Sequence, residues 1–136
     1  MESHARYLIA YLGAAAAMAL LDIVWLRLAL KAVYQPAIGS LLSDHTNLAA
    51  AVLFYVLYVL GVVIFAIGPA LRGGGWTTAL TMGAAFGFFA YMTYDLTNMA
   101  TLRTWPVRLA VVDMAWGTFL TAAAASAGYT VASRFG

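Results

Sequence analysis

Apolar positions in this chain are gathered into four long segments that contain very few polar residues. The segments cover residues about 6–30, 48–71, 76–102 and 107–132. A helix needs about 20 mainly apolar residues to cross a membrane, and each segment is long enough. Runs such as "VLFYVLYVLGVVIFAI" do not alternate as barrel strands do. The pattern predicts an all-α fold, an integral membrane bundle of four transmembrane helices arranged up-and-down, in a single domain over residues 1–136.

Breaker residues separate the four segments. Pro36 and Gly39 lie in the first connection, the second is Arg72-Gly73-Gly74-Gly75, and the third contains Trp105-Pro106. An alternative is that the first segment is a cleaved signal peptide, but its apolar run continues to Leu30, longer than the usual apolar core of such a peptide. In an up-and-down bundle, the first and third connections lie on the same side of the membrane.

Composition supports a membrane location and excludes several functions. Charged residues make up 9% of the chain, against about 25% in soluble domains. The net charge is only +2, with seven Lys and Arg in all, so there is no basic surface for nucleic acid. Four of these cations fall on one side and three on the other, which leaves the orientation open, dual topology included. Cysteine is absent, so thiol catalysis and disulfides are excluded.

Three aspartates lie inside the predicted spans at nearly one depth. Asp22, Asp95 and Asp113 are each about 10–12 Å below the side that carries the first and third connections, at 1.5 Å per residue. An Asp at the centre of a membrane helix costs about 2.5–3.5 kcal/mol. We therefore expect all three to face the interior of the bundle.

Aromatic and amide side chains accompany these acids. Asp22-x-x-Trp25 and Asp113-x-x-Trp116 each place an indole one turn from a carboxylate. The other candidates for a ligand-binding or proton-linked site share a helix face or a depth with the acids: Asn98, Tyr55, Tyr58, Tyr91, Tyr94 and Arg27. The competing interpretation is a polar clasp that only holds helices together. No catalytic residue is assigned and no cofactor is indicated. His4 and His45 lie outside the spans and far apart in sequence, so no metal site is predicted.

The motifs YDLTN (94–98), DxxWG (113–117) and DxxWL (22–26) together resemble the DUF2177 family of small bacterial membrane proteins. The resemblance extends to Tyr34, to Phe54, Tyr55 and Tyr58, to Gly83 and Gly87, and to Trp105. It implies a multi-pass protein of the bacterial inner membrane, and it assigns no activity.

The leading functional hypothesis is a membrane protein that binds or moves a small molecule, a proton or a lipid through the carboxylates in one half of the membrane. An alternative is an intramembrane enzyme acting on a lipid or isoprenoid, with an Asp as general acid or base. A third is an accessory or structural subunit. The partners are the lipid bilayer and, left open, a homo-oligomer or larger membrane complex, but no nucleic acid.

Overall fold

The computed structural model describes residues 2–136, and every regular element among them is helical. The five α-helices are α1 (Glu2–Ala29), the short α2 (Gln35–Ile38), α3 (Leu48–Val62), α4 (Gly75–Thr101) and α5 (Val107–Phe135). A π-helical turn over Leu30–Tyr34 joins α1 to α2, and a 3-10 turn over Gly39–Leu41 follows. The π-helical turns Val63–Ile67 and Ala70–Gly74 lie between α3 and α4. The predicted all-α fold is confirmed for this part of the chain.

Three helical segments of the described chain are long and apolar enough to cross a membrane: His4–Leu41, Leu48–Thr101 and Val107–Phe135. The prediction of four separate spans is not confirmed by this count. The second segment is 54 residues long and includes both the second and the third predicted span. Helical hydrogen bonding continues through the predicted second connection, where the backbone N–H of Gly75 donates to the carbonyl of Ala70.

The chain nevertheless reverses its direction within this long segment. Arg72 and Gly73 leave helical geometry, and Gly73 and Gly75 adopt φ of 119° and 74°, values that favour glycine. The ring of Phe86 packs against Tyr58 at a centroid distance of 5.2 Å. These two residues would be about 42 Å apart along one straight helix. The contact is therefore possible only because α4 folds back along α3.

Helix α5 forms the centre of the bundle and packs against both α1 and α4. Small residues allow the close approach, because the spacing Gly83-x-x-x-Gly87 lets two helix backbones come together. A Cβ atom on Gly83 would lie 2.7 Å from the Cβ of Ala125, and one on Gly13 would lie 3.2 Å from the Cα of Gly128. Lipid provides no hydrophobic driving force between helices. Helices in a membrane therefore associate through van der Waals contacts such as these.

Two hydrogen bonds show which ends of the helices lie together. At one end, Nη1 of Arg72 donates to the hydroxyl of Tyr7 at 3.2 Å, so the turn before α4 lies beside the start of α1. At the other end, the hydroxyl of Tyr34 donates to Asp113 at 2.7 Å, so the chain after α1 lies beside the start of α5. The outer surface is apolar, with residues such as Leu12, Leu53, Phe89 and Phe119 not covered by the protein itself.

Candidate functional site

Asp22 joins three helices through its carboxylate. Trp116 of α5 donates its indole N–H to Oδ1 at 3.2 Å, and the hydroxyl of Tyr55 on α3 donates to Oδ2. Both oxygens of this α1 residue therefore have a donor from another helix. Donors from an indole and a phenol stabilise a carboxylate that water does not reach easily. Asp22 acts in the structure as a junction between α1, α3 and α5.

Asp113 begins a second group of hydrogen bonds. Its Oδ1 accepts the hydroxyl proton of Tyr34, and the oxygen of that hydroxyl accepts the indole N–H of Trp25 at 3.0 Å. Asp113 itself is buried, with 7% of its surface exposed. Tyr34 lies in the π-helical turn after α1, so this turn positions a phenol over the first turns of α5. These hydrogen bonds hold the segment between α1 and α3 against α5.

The two acid groups are joined by their tryptophans. The rings of Trp25 and Trp116 stack with their centroids 4.5 Å apart and an angle of 8° between their planes. Each indole bonds to the group of the opposite helix, since Trp116 donates to Asp22 of α1 and Trp25 donates to Tyr34 beside Asp113. The repeated acid-x-x-Trp spacing of the sequence therefore turns both indoles toward the interface between α1 and α5.

Asp95 on α4 is fully buried and only partly satisfied. Oδ1 accepts the indole N–H of Trp105 at 3.2 Å, whereas Oδ2 has no hydrogen-bond partner within residues 2–136. Its carboxyl group lies within side-chain hydrogen-bonding reach of the carboxyl group of Asp113. Ionised carboxylates only accept hydrogen bonds, so the two groups can bond to each other only when one of them carries a proton.

A cavity of about 350 Å³ reaches Asp113 from the outer surface between α3 and α4. Its lining is aromatic apart from one alanine and the carboxylate: Phe54, Tyr58, Ala90, Tyr91, Tyr94 and Asp113. Phe54 and Tyr94 are 48% and 56% exposed, so the cavity opens between these two side chains. The surrounding outer surface is apolar, as Leu53, Leu57 and Phe89 show. The opening therefore faces the side that lipid would occupy.

The remaining predicted residues lie at different distances from this cavity. The hydroxyl of Tyr58 bonds to that of Thr121 at 2.8 Å, and the ring of Tyr91 packs against Gly117, which has no side chain to displace it. The half-buried Asn98 lies one turn after Tyr94, close to that phenol. Arg27 is exposed, and none of the donors found for the three carboxylates in the described residues belongs to Lys or Arg.

Three residues of the site were not among the predicted site residues: Tyr34, Trp105 and Thr121. Tyr34 and Trp105 donate hydrogen bonds directly to Asp113 and Asp95. The signal that could have found them is their position, since both lie in connections on the side nearest to the acids. At the end of a predicted span, Trp105 instead has the position of an aromatic residue at the membrane interface. Thr121 gives no such signal, because a threonine in a membrane helix commonly bonds to its own backbone, as Thr121 also does to Gly117.

Within the described residues, no group of three or more His, Asp or Glu side chains has the arrangement of a metal site. What the geometry defines is a helical membrane protein with carboxylates buried among phenols and indoles, one of them at the base of an aromatic cavity. The chain belongs to the family described as Predicted membrane protein (DUF2177), whose model matches residues 7–130. No curated protein and no solved structure matches the chain.

Proposed function

We propose that this protein binds a small amphiphilic molecule in the cavity between α3 and α4, with the polar end of the ligand at Asp113. The observation that carries the proposal is the cavity itself, which places one buried carboxylate behind a wall of aromatic rings. Its volume of about 350 Å³ is at the lower end of the range of about 300–1,000 Å³ typical of small-molecule sites. The ligand would have an apolar body and a polar end that donates hydrogen bonds or carries a positive charge.

The ligand would enter from the lipid rather than from water. The opening lies between Phe54 and Tyr94 on a surface that includes the exposed apolar side chains of Leu53, Leu57 and Phe89. An amphiphile already dissolved in the bilayer loses little on moving its apolar part into such a cavity. Its polar end gains contact with the carboxylate of Asp113 and with Tyr91, both of which line the cavity. These polar contacts would make the site selective for the chemistry of the polar end of the ligand.

The proposal includes a membrane arrangement. The 54-residue segment crosses the membrane twice, because α4 folds back along α3 after the turn at Arg72–Gly75. The chain then has four spans in an up-and-down bundle, with α2 and the third connection on the side nearest to the acids. Helical spans suit the bacterial inner (cytoplasmic) membrane, since bacterial outer membranes mainly hold β-barrels.

The test is native mass spectrometry of the protein gently purified in a neutral maltoside detergent. We expect one amphiphile bound per chain in the wild type. Ala90→Phe fills the cavity and should lose the bound molecule. The matched control Ala115→Phe places the same ring on the exposed face of α5 and should retain it. The proposal is wrong if Ala90→Phe, still folded, keeps the same bound mass at the same occupancy.

A structural role is the second candidate, and the Asp22 junction favours it. Both oxygens of Asp22 are occupied by donors from other helices, and Asp22 does not line the cavity. A chain whose acids served only to hold helices together would be expected to co-purify with other membrane proteins as an accessory subunit. The same mass spectra distinguish the two functions, because a subunit would carry a protein partner, and filling the cavity would not release it.

A further inference from the structure

The oxygen Oδ2 of Asp95 is fully buried and has no hydrogen-bond partner in the described part of the chain. An unpaired buried polar atom costs about 1–3 kcal/mol, and a charged one costs more. A polar group within side-chain reach of Asp95 is the carboxyl group of Asp113 on α5, which lines the cavity. A lone proton on either residue would turn this unfavourable contact into a hydrogen bond.

Among the residues whose side chains the structure describes, no Lys or Arg is a partner of the pair. The titratable groups that face it are the phenols of Tyr34, from the turn after α1, and of Tyr94, from α4 itself. Tyr91, also on α4, faces Asp113. The third connection contributes the indole of Trp105, which does not titrate. Arg103 and Arg108 are exposed. Two adjacent carboxylates without a cation tend not to be ionised together, and such pairs hold one proton between them.

We propose that Asp95 and Asp113 form a one-proton site that releases its proton when a lipophilic cation occupies the cavity. This inference rests on the proposed function and names the class of its ligand. Asp113 lines the cavity and can contact the cation, whereas Asp95 lies behind it and is fully buried. The cation thus meets one member of the pair, and the proton leaves the pair.

The exchange keeps the charge of the site constant. With a proton and no ligand, the pair carries one net negative charge. With a cation and no proton, two carboxylates and one positive charge again give one net negative charge. The O–H bond of the carboxylic acid breaks, its electron pair stays on the carboxylate, and the proton passes to water. Exchange without a change in net charge avoids most of the cost of moving charge into a medium of low dielectric constant.

The probe is decyltrimethylammonium, which has no proton of its own, with decanol as a neutral comparison of equal chain length. We expect the affinity of the wild-type protein for the cation to rise with pH, by up to about tenfold per unit, because one proton is released for each cation bound. The affinity for decanol should not change. In Asp95→Asn the carbonyl can still accept from Trp105 and the amide can donate to Asp113, so the fold is retained and the pH dependence for the cation should disappear.

Infrared spectroscopy of the protein without a probe measures the proton directly. A carboxylic-acid C=O band should be present in the wild type and in the exposed-loop control Asp44→Asn, and absent in Asp95→Asn. Lack of the band, or cation binding that is independent of pH while both probes bind, overturns the one-proton site and leaves the amphiphile cavity standing. Failure of both probes to bind, with the band present, overturns the cavity and the exchange together.

Discussion

Trp25 and Trp116 stack face to face at a centroid distance of 4.5 Å, and each indole donates its N–H to a hydrogen-bonded group based on the opposite helix. This single contact connects the Asp22 junction to the Asp113 group. The two hydrogen bonds also fix the ring planes, because an indole that rotated would lose its acceptor. The stack is therefore the mechanical link between α1 and α5 at the depth of the acids.

We predict that the two tryptophans are energetically coupled. A double-mutant cycle with Trp25→Leu and Trp116→Leu should give a coupling free energy of about 0.5–1.5 kcal/mol, the usual contribution of an aromatic pair beyond its buried area. The measurement is the free energy of unfolding in detergent. Trp76→Leu, at a position that is 53% exposed, serves as the control and should show no coupling with Trp25→Leu. Additive effects of Trp25→Leu and Trp116→Leu would contradict the prediction.

Asp22→Leu should destabilise the protein by about 1–3 kcal/mol, because the Tyr55 hydroxyl and the Trp116 indole would lose their acceptor. Asp44→Leu should change stability by less than about 0.5 kcal/mol, since Asp44 is exposed in the loop before α3. Thermal unfolding of the two variants in the same detergent checks both values. Equal melting temperatures would show that the junction does not hold the helices together.

Gly87→Ala should destabilise the bundle by about 1–3 kcal/mol through overpacking. The new Cβ would lie 2.6 Å from the Cβ of Thr121, so α4 would have to move away from α5. Gly39→Ala is the matched control, because its nearest neighbour would be the Cβ of Gln35 at 4.0 Å. If Gly87→Ala unfolds at the same temperature as Gly39→Ala, the two helices do not pack as closely as described.

The contact between Asp95 and Asp113 can be tested by cross-linking, since the chain contains no cysteine. We expect Asp95→Cys/Asp113→Cys to be joined by a short bifunctional thiol reagent within one molecule. Asp22→Cys/Ala85→Cys should not react, because Ala85 lies ten residues before Asp95 on α4, a distance of about 15 Å along the helix axis. A folded Asp95→Cys/Asp113→Cys variant that remains uncross-linked would separate the two carboxylates and remove the basis of the one-proton site.

The four-span arrangement predicts where tags will lie. A reporter at Gly39 should lie on the opposite side of the membrane from reporters at Gly74 and Gly136. The reason is that α4 reverses the direction of α3, so that Gly74 returns to the side of the chain ends. Should Gly39 and Gly74 fall on the same side, the long segment crosses the membrane differently and the bundle is not up-and-down.

Much of the fold follows from the sequence because a membrane imposes simple rules. Long apolar runs such as residues 107–132 must satisfy their backbone hydrogen bonds internally, so they become helices. The burial of Asp113 follows from the same reasoning, because a carboxylate is costly against lipid. So does the close helix packing at Gly83 and Gly87, because small residues let backbones approach. The sequence therefore determined the helical class, the apolar surface and the inward position of Asp95 and Asp113.

The tertiary structure decided which role each of these acids has. Helix periodicity places Asp22 and Asp113 at one depth, but it does not fix the rotation of one helix against another. Only packing assigns Asp22 to a satisfied junction and Asp113 to the base of a cavity. Tyr34 and Trp105 belong to the site because the connections that carry them cross the helix ends next to Asp113 and Asp95. The course of a connection depends on three-dimensional contacts that no local sequence pattern encodes.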